Sequence, residues 1–554
     1  MTMAAQLFSF PVLTVAGAVE ALLAIKQFPS YYSSGSHLTA VIGMILANYA
    51  FGVVFWAFLY PRFFSPLRRI PGPRAFIGAA YRSIVVREGP SGDIFLNLAN
   101  QYPGEDLIAL DAFGRQMFVA KPGLLADLLV HKCYDFAKPR RISAFLRRIL
   151  GDGLIIVEED RHKFLRKNTM PAFHVRHIKD LYPMIWNKAG ILTRALTREI
   201  DSNATPDSKG SAIVELTTWA SKVTLDIIGI AGMGRGLNIV EKKSGDPLQE
   251  LYEELLEPSR EKLIFAMLSL AIGFPAVRLL PWKMNSLFIY LTSSLDKICR
   301  ELIKEKRDAI VKKEDDHFDI LSLLIKSDNF DDEALKDQLL TFLAAGHETT
   351  ASALTWASYL LANHPEIQAK LREEVTSALG ANAIAGEPLA NPAGVLKQLP
   401  YLNGIIYETL RLYPTVPLTM REALHDTQVG EQFVPKGTEM VVSIWQINRS
   451  PDLWGADAGA FRPERWINTD GDGKPNQHGG ARSNYDFLTF LQGPRSCIGQ
   501  EFAKAEMRCL LAALVTAFSW DLAMDEDKIV PRGVITIKPE NGMHLRMRPL
   551  GRVV

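Results

Sequence analysis

The chain has 554 residues, 48% hydrophobic and 22% charged, with a formal net charge of +1. These are the proportions of a globular protein, and the balance of charge argues against bulk nucleic-acid binding and against a strongly acidic partner. Length alone predicts two to four domains, although large single-domain enzymes reach this size. The cysteines Cys133, Cys299, Cys497 and Cys509 form no CxxC pair and no dense framework, which argues against structural zinc and a disulfide scaffold and fits a reducing, cytosol-facing compartment.

The N-terminal elements are apolar. Before Arg62 the only charged residues are Glu20 and Lys26. The stretch over 7–25 contains Glu20, which is costly in lipid, so a second span, an interfacial helix and a signal-like segment stay open there. A cleaved signal peptide is disfavoured because no basic residue precedes the stretch. Residues 38–60 carry no charge. As a helix they would extend roughly 34 Å, enough to cross a hydrocarbon core of about 30 Å. Trp56 and Tyr60 lie near the end, followed by Arg62, Arg68, Arg69 and Arg74, which by the positive-inside rule hold the rest of the chain in the cytosol. The expected organisation is a membrane anchor over 1–61, a basic, proline-rich hinge over 62–74 with Arg69-Ile70-Pro71-Gly72-Pro73, and one body over 75–554.

Amphipathic helical patterns dominate the body. Polar loops are expected at 201–211 and 380–394, and short strands near 108–119, 439–444 and the C-terminus. The fold class is therefore mainly α with a small β region. Gly232-Met233-Gly234-Arg235-Gly236 looks like a phosphate loop but lacks the full G-x-G-x-x-G spacing, and reads as a connection between helices; NADPH binding on this chain is not expected. Residues 263–280 are apolar but interrupted by Gly273, Pro275 and Arg278, and read as helix, loop and helix, packed on the body or dipping into the bilayer surface.

A long helical pattern over 332–363 contains Ala345-Gly346-His347-Glu348-Thr349-Thr350. A mid-helix threonine is unfavourable unless its hydroxyl finds a local carbonyl, a pairing that can open the helix, and Gly346 would leave room beside the opening. The plain alternative is a helix-capping sequence. A zinc-protease reading of His347-Glu348 fails because the fourth residue after His347 is Ala351, not His. In the helix expected over 399–412, Glu408 and Arg411 share a face, where a solvated salt bridge is the default reading.

The strongest signal is Phe490-Leu491-Gln492-Gly493-Pro494-Arg495-Ser496-Cys497-Ile498-Gly499. A thiolate ligand to haem needs glycines that turn tightly and let the backbone approach the macrocycle, backbone N–H groups aimed at the sulfur, and a cation such as Arg495 for a haem propionate. A helix over 502–518 would place its positive end near the thiolate. The alternative is a buried structural cysteine in a glycine loop.

This segment resembles the cytochrome P450 signature, Phe-x-x-Gly-x-Arg-x-Cys-x-Gly, at Phe490, Gly493, Arg495, Cys497 and Gly499. The resemblance covers about 70–549, and the other motifs occur in the family's order. It implies the P450 fold, haem b between two long helices, and Cys497 as the axial iron ligand. It further implies Thr349 as the alcohol that bonds dioxygen and Glu348 as the acid relaying protons. A structural network of Glu408, Arg411 and the Arg465 of Pro463-Glu464-Arg465 is implied beneath the haem. His162 and Arg166, in His162-Lys163-Phe164-Leu165-Arg166, and Arg421, ten residues after Arg411, resemble the family's propionate-binding positions.

The implied activity is monooxygenation of a lipophilic terpenoid, polyketide or lipid. NADPH electrons would arrive through a separate reductase, with cytochrome b5 a further possible partner, and Arg161, Lys163, Lys167, Lys504 and Arg508 are the expected docking face. An endoplasmic-reticulum membrane protein with a cytosolic body is implied, similar to fungal members of secondary metabolism. A haem-thiolate isomerase or dehydratase, or a haem sensor, would keep Cys497 but have no use for Glu348 and Thr349. Expected pocket walls are 142–156, Phe342, Ala345, 415–419 and 534–536. Two glycosylation patterns, Asn203-Ala204-Thr205 and Asn448-Arg449-Ser450, should be silent if the body is cytosolic.

Overall fold

A computed structural model describes residues 10–31, 37–73, 90, 92–110, 116–204, 210–242, 246–256, 259–312, 319–380, 389, 391–468, 473–533 and 535–551. Arg74, Thr205, Val534 and most of the 380–394 loop lie outside the described residues.

Two helices, α1 (Phe10–Gln27) and α2 (His37–Val54), form an antiparallel hairpin at the N-terminus. A Cβ at Gly17 would lie 2.8 Å from the Ile45 backbone, so a small residue sets their spacing. Glu20 is not left alone on α1: Asn48 Nδ2 donates to its Oε2 at 2.7 Å. Among the described residues one helix, His37–Tyr60, is long and apolar enough to cross a membrane by length and composition. The proline-rich segment behind it is docked as well as stiff. Leu67 is buried, Ala109 N donates to Pro71 O at 2.8 Å, and a Cβ at Gly72 would lie 1.9 Å from Ala109 O.

The body is mostly helical. The helices that carry the argument are α3 (Glu159–Thr169), α4 (Val175–Asn203), α5 (Leu216–Met233), α6 (Asp332–Asn363), α7 (Pro400–Leu412) and α8 (Gln500–Ala517). The 32-residue α6 runs through the core. It starts where Asp331 Oδ1 accepts Ala334 N at 2.7 Å, with Asp332 and Glu333 in its first turn against the positive end of the helix. It stops before Pro365, which the preceding residue cannot enter as helix. Helix α5 lies along α6, and α8 packs on α4 and α6.

Small sheets fill the remainder. Strands β1 (Leu107–Ala109), β2 (Gln116–Val119), β3 (Phe136–Ala137), β5 (Leu418–Ala423) and β8 (Glu439–Ser443) form a sheet in the order β1-β2-β8-β5-β3. Only the β2–β8 pair in it is parallel. Strand β4 (Ala212–Glu215) joins β9 (Phe518–Leu522) across β12 (His544–Pro549), and two hairpins pair β6 (Thr427–Val429) with β7 (Gln432–Val434) and β10 (Pro531–Arg532) with β11 (Lys538–Pro539).

The expected 108–119 run resolves into β1 and β2. The 439–444 run ends one residue early because Ser443 Oγ accepts Gln446 N at 3.1 Å and starts a helix. Gly234, at φ 68°, is the left-handed C-cap of α5, so the glycine-rich run there is a connection. Residues 263–280 form helices Arg260–Ile272 and Phe274–Arg278 about Gly273 at φ 88°. Phe265 and Val277 are buried against Met284 and Phe288, which makes the segment part of the body, with Leu279 exposed.

Candidate active site

The loop before α8 is fixed at both ends. Leu491 N donates to Leu488 O, and Cys497 N to Phe490 O, each at 2.8 Å. Between them Leu491 (φ 55°) and Gly493 (φ 76°) are left-handed. For Leu491 that conformation costs about 1–2 kcal/mol, sustained by the ties on either side. Gly493 has a second reason to be glycine, since a Cβ there would lie 2.2 Å from Leu129 O. Gly499 has neither reason: its φ is −88° and a Cβ would meet only the Phe173 ring, at 4.0 Å. Nothing among the described residues requires glycine at 499, but a flat group laid against the loop would.

Cys497 is the exposed cysteine of the four; Cys133, Cys299 and Cys509 are buried. Its thiol is accessible yet set deep among protein atoms. Burial pushes its pKa up, while the Gly499 backbone N–H and the charges of Arg166 and Lys504 pull it down. Gly499 caps α8, so the sulfur also sits at the helix's positive end.

Beside the loop is a buried basic cluster. Arg495 donates to Glu158 Oε2 and to Cys133 O, and Lys138 Nζ lies 3.4 Å from Glu158 Oε1. Arg421, on β5, is buried and donates to Thr419 Oγ1 and Met420 O, both at 2.8 Å. Three cations thus crowd one carboxylate. Burial and mutual repulsion push Lys138 down to about 8 and Arg421 down to about 10. Burial would raise Glu158, but Lys138 and Arg495 hold it below the usual carboxylate range. His162 and Arg166 occupy one face of α3. His162 meets Tyr134 OH at 3.2 Å and is pushed down to about 4 by burial and by Arg495. Arg166 donates to Ser496 O at 2.6 Å and Ser496 Oγ at 3.3 Å, bracing the cysteine loop. An excess of desolvated positive charge beside an accessible thiol and an unforced glycine fits an iron porphyrin with two carboxylates. Lys138 and Glu158 carry no local sequence signal and were not expected at the site.

On α6 the Thr349 hydroxyl donates to Ala345 O at 2.6 Å, the expected backward bond, but the helix stays α-helical through it. Gly346 does not make room beside an opening. A Cβ there would lie 2.9 Å from Ile228 Cδ1, so the glycine admits α5. Glu348 is buried and forms an ion pair with Lys538, Nζ to Oε1 2.8 Å. Buried His347 meets Ser221 Oγ at 2.8 Å. Phe342, expected as a pocket wall, is buried with its ring edge-on to Phe173 at 5.4 Å.

The Glu408, Arg411 and Arg465 triad is assembled. Arg411 Nε and Nη2 donate to the two Glu408 oxygens at 2.9 and 2.8 Å, and Arg465 Nε to Glu408 Oε1 at 3.3 Å. Trp466 Nε1 adds a bond to Glu408 at 2.9 Å. Neither Glu408 nor Arg411 touches solvent, so this is not a surface pair. Arg411 also binds the carbonyls of Asn448, Ala458 and Ala460. Asn448 ties this network to the cysteine loop: its Nδ2 donates to Thr489 Oγ1 at 2.8 Å, Leu488 N donates to its Oδ1 at 3.0 Å, and Thr489 Oγ1 donates to Leu410 O at 2.7 Å. The expected docking face is smaller than the sequence suggests. Arg161, Lys163 and Lys167 are exposed, but Lys504 is buried over the Tyr407 ring and Arg508 is buried on Asn403 and Tyr182.

Comparison with known proteins agrees with this geometry. The cytochrome P450 family model matches residues 86–546. The cytochrome P450 monooxygenase sphH of Aspergillus fumigatus is 40% identical over 523 residues, covering 92% of this chain and 94% of its own. Cytochrome P450 monooxygenase FUM15 of Gibberella moniliformis is 35% identical, covering 94% and 95%, and buaD of Petromyces alliaceus is 36% identical, covering 79% and 81%. By its fold, its cysteine loop and these relatives, this chain belongs to the cytochrome P450 family and is an oxidoreductase of the monooxygenase kind.

Proposed function

We propose that the protein is a membrane-anchored haem-thiolate monooxygenase that inserts one oxygen atom from dioxygen into a lipophilic terpenoid, polyketide or lipid, in fungal secondary metabolism. The observation that carries this is the accessible Cys497 thiol at the head of α8, beside a buried cluster with more cations than carboxylates. In this reading Cys497 binds the iron, Arg495, Arg421 and His162 take the propionates, and Arg166 sets its charge beside the sulfur. Phe490, Gly493 and Gly499 shape the loop, while Glu408, Arg411 and Arg465 brace it from below. When bound, the haem supplies dioxygen binding and reductive activation, with NADPH electrons from a separate flavoprotein reductase and cytochrome b5 as a further donor.

The protein's own residues manage protons and access. Thr349 Oγ1 releases its bond to Ala345 O and donates toward the haem side, and Glu348 carries protons from solvent to that hydroxyl. Residues 142–156, 415–419 and 535–536 wall the substrate side, with Ala345. The anchor is the His37–Tyr60 helix, with α1 as its packed companion, in the endoplasmic-reticulum membrane. The basic segment behind it keeps the body in the cytosol, where a reductase reaches Arg161, Lys163 and Lys167. The test is a screen of lipophilic metabolites for shifts of the haem band in reductase-supplemented membranes, followed by turnover under ¹⁸O₂. One labelled oxygen per product is expected; a product without label would replace monooxygenation by isomerisation or dehydration.

A further inference from the structure

Glu348 has a partner that no sequence motif marks. Lys538 approaches it from β11, at the end of the β10–β11 hairpin, with Nζ 2.8 Å from Oε1. The hairpin is bound to the helix that carries Glu348. Ile537 O accepts Ser352 Oγ at 2.5 Å and Trp356 Nε1 at 3.3 Å, both from α6. On its other side Ile537 N donates to Thr415 O at 2.9 Å, the segment that leads into β5. Gly533 lies close to the returning strand, since a Cβ there would be 1.6 Å from Thr536 O. Arg532 Nε and Glu540 Oε2, 2.8 Å apart, lace the strands of the hairpin. Lys538 is thus delivered to Glu348 on fixed backbone. Both side chains are largely desolvated, at 22% and 11% exposure, which strengthens their attraction relative to a surface pair.

We propose that Lys538 is a positioning residue for Glu348: the ion pair selects one orientation of the carboxylate and links it to the hairpin joined to the substrate-side segment at Thr415. The proposal rests on the reading of Glu348 as the proton carrier. An unpaired glutamate would spread over several rotamers, and each productive proton transfer would then have to wait for one of them. The pair also makes the hairpin and the proton carrier a single mechanical unit, so displacement of one moves the other.

The experiment uses the full-length, haem-loaded protein in membranes with its reductase and no added substrate. Lys538→Met, Lys538→Gln, Lys538→Arg and Glu348→Gln are compared by two readouts. One is NADPH consumption and its solvent deuterium isotope effect; the other is amide hydrogen exchange over 529–540. Lys538→Met and Lys538→Gln should slow consumption severalfold, raise the isotope effect and deprotect the hairpin amides, and Lys538→Arg should restore all three. Glu348→Gln should match Lys538→Met in both readouts. Deprotected amides with normal consumption and isotope effect would reduce Lys538 to a structural clip and overturn the proposal. A Glu348→Gln protein that slows while both uncharged Lys538 variants do not would overturn it and leave the Glu348 reading standing. A Glu348→Gln protein with unchanged consumption and isotope effect would instead overturn the proton-carrier reading, and with it the role of Lys538.

Discussion

Arg495 and Glu158 lie 337 positions apart in sequence and are joined by a direct hydrogen bond from Nη2 to Oε2. That bond also places Glu158 against Lys138, so one carboxylate restrains two cations that repel each other and Arg421. Glu158→Gln should therefore destabilise the haem-free protein by about 2–3 kcal/mol, the scale of a lost bond to a charged group. Haem propionates would supply the missing negative charge, so the haem-loaded protein should lose less. Urea midpoints of both forms measure this; equal losses would separate Glu158 from the haem site.

Cys497→Ala should abolish the red-shifted Soret band of the reduced, carbon-monoxide-bound protein, which reports thiolate ligation. The next cysteine in sequence cannot take its place by a small movement. Cys509, twelve positions on, is buried within α8, and burial pushes its thiol far above the ordinary range. A normal thiolate spectrum in the variant would end the assignment of Cys497.

Thr349→Ala should keep haem content and substrate-induced band shifts but release several times more hydrogen peroxide per NADPH. The substituted side chain loses only the bond to Ala345 O, and α6 keeps its backbone ladder. Unchanged peroxide release in the presence of a band-shifting compound would remove Thr349 from the proton path.

Glu506, on α8, is fully buried, and that burial raises its pKa well above the ordinary value, with neither carboxylate oxygen hydrogen-bonded among the described residues. A raised acid contributes most to stability at low pH and loses that contribution as pH rises, because the unfolded chain gives up its proton first. Glu506→Gln keeps the shape without the titration. Its stability relative to the parent should therefore improve as pH rises above about 4.5, levelling off once the folded parent also releases the proton. Urea unfolding at pH 5, 7 and 9 checks the sign; a relative stability that falls with pH would contradict it.

The orientation of the body is best read by protease. Protease added to sealed microsomes should digest the body, whereas full protection would place it in the lumen. Asn448 cannot serve as the glycan reporter, since it is wholly buried with both side-chain polar atoms bonded. Its sequon is silent in either orientation.

What was legible in the sequence was what the chain writes locally. The cysteine loop is contiguous, so Phe490 to Gly499 could be read as one device, and α6, α7 and α8 carry periodic patterns long enough to place within a residue or two. What stayed hidden depends on neighbours brought from afar. Glu158 and Lys138 sit in unremarkable stretches, and Lys538 is one lysine among many until β11 sets it on Glu348. Gly346 shows the same limit in reverse. Its presence was plain, but its purpose depended on Ile228, over a hundred residues earlier. Lys504 and Arg508 were read as surface bases from their charge alone, whereas α8 turns both inward.

The Arg411 network has a consequence for synthesis on the ribosome. Its partner Glu408 is three residues away and pairs with it as soon as α7 forms, but its carbonyl acceptors at Asn448, Ala458 and Ala460 emerge 37, 47 and 49 residues later. A solvated pair of this spacing is worth only about 0.2–0.5 kcal/mol, so during that interval the guanidinium should be held loosely, with its remaining N–H groups in water. The prediction is that the floor beneath the Cys497 loop closes only once the chain has been made as far as Trp466, which is still ahead of the loop itself.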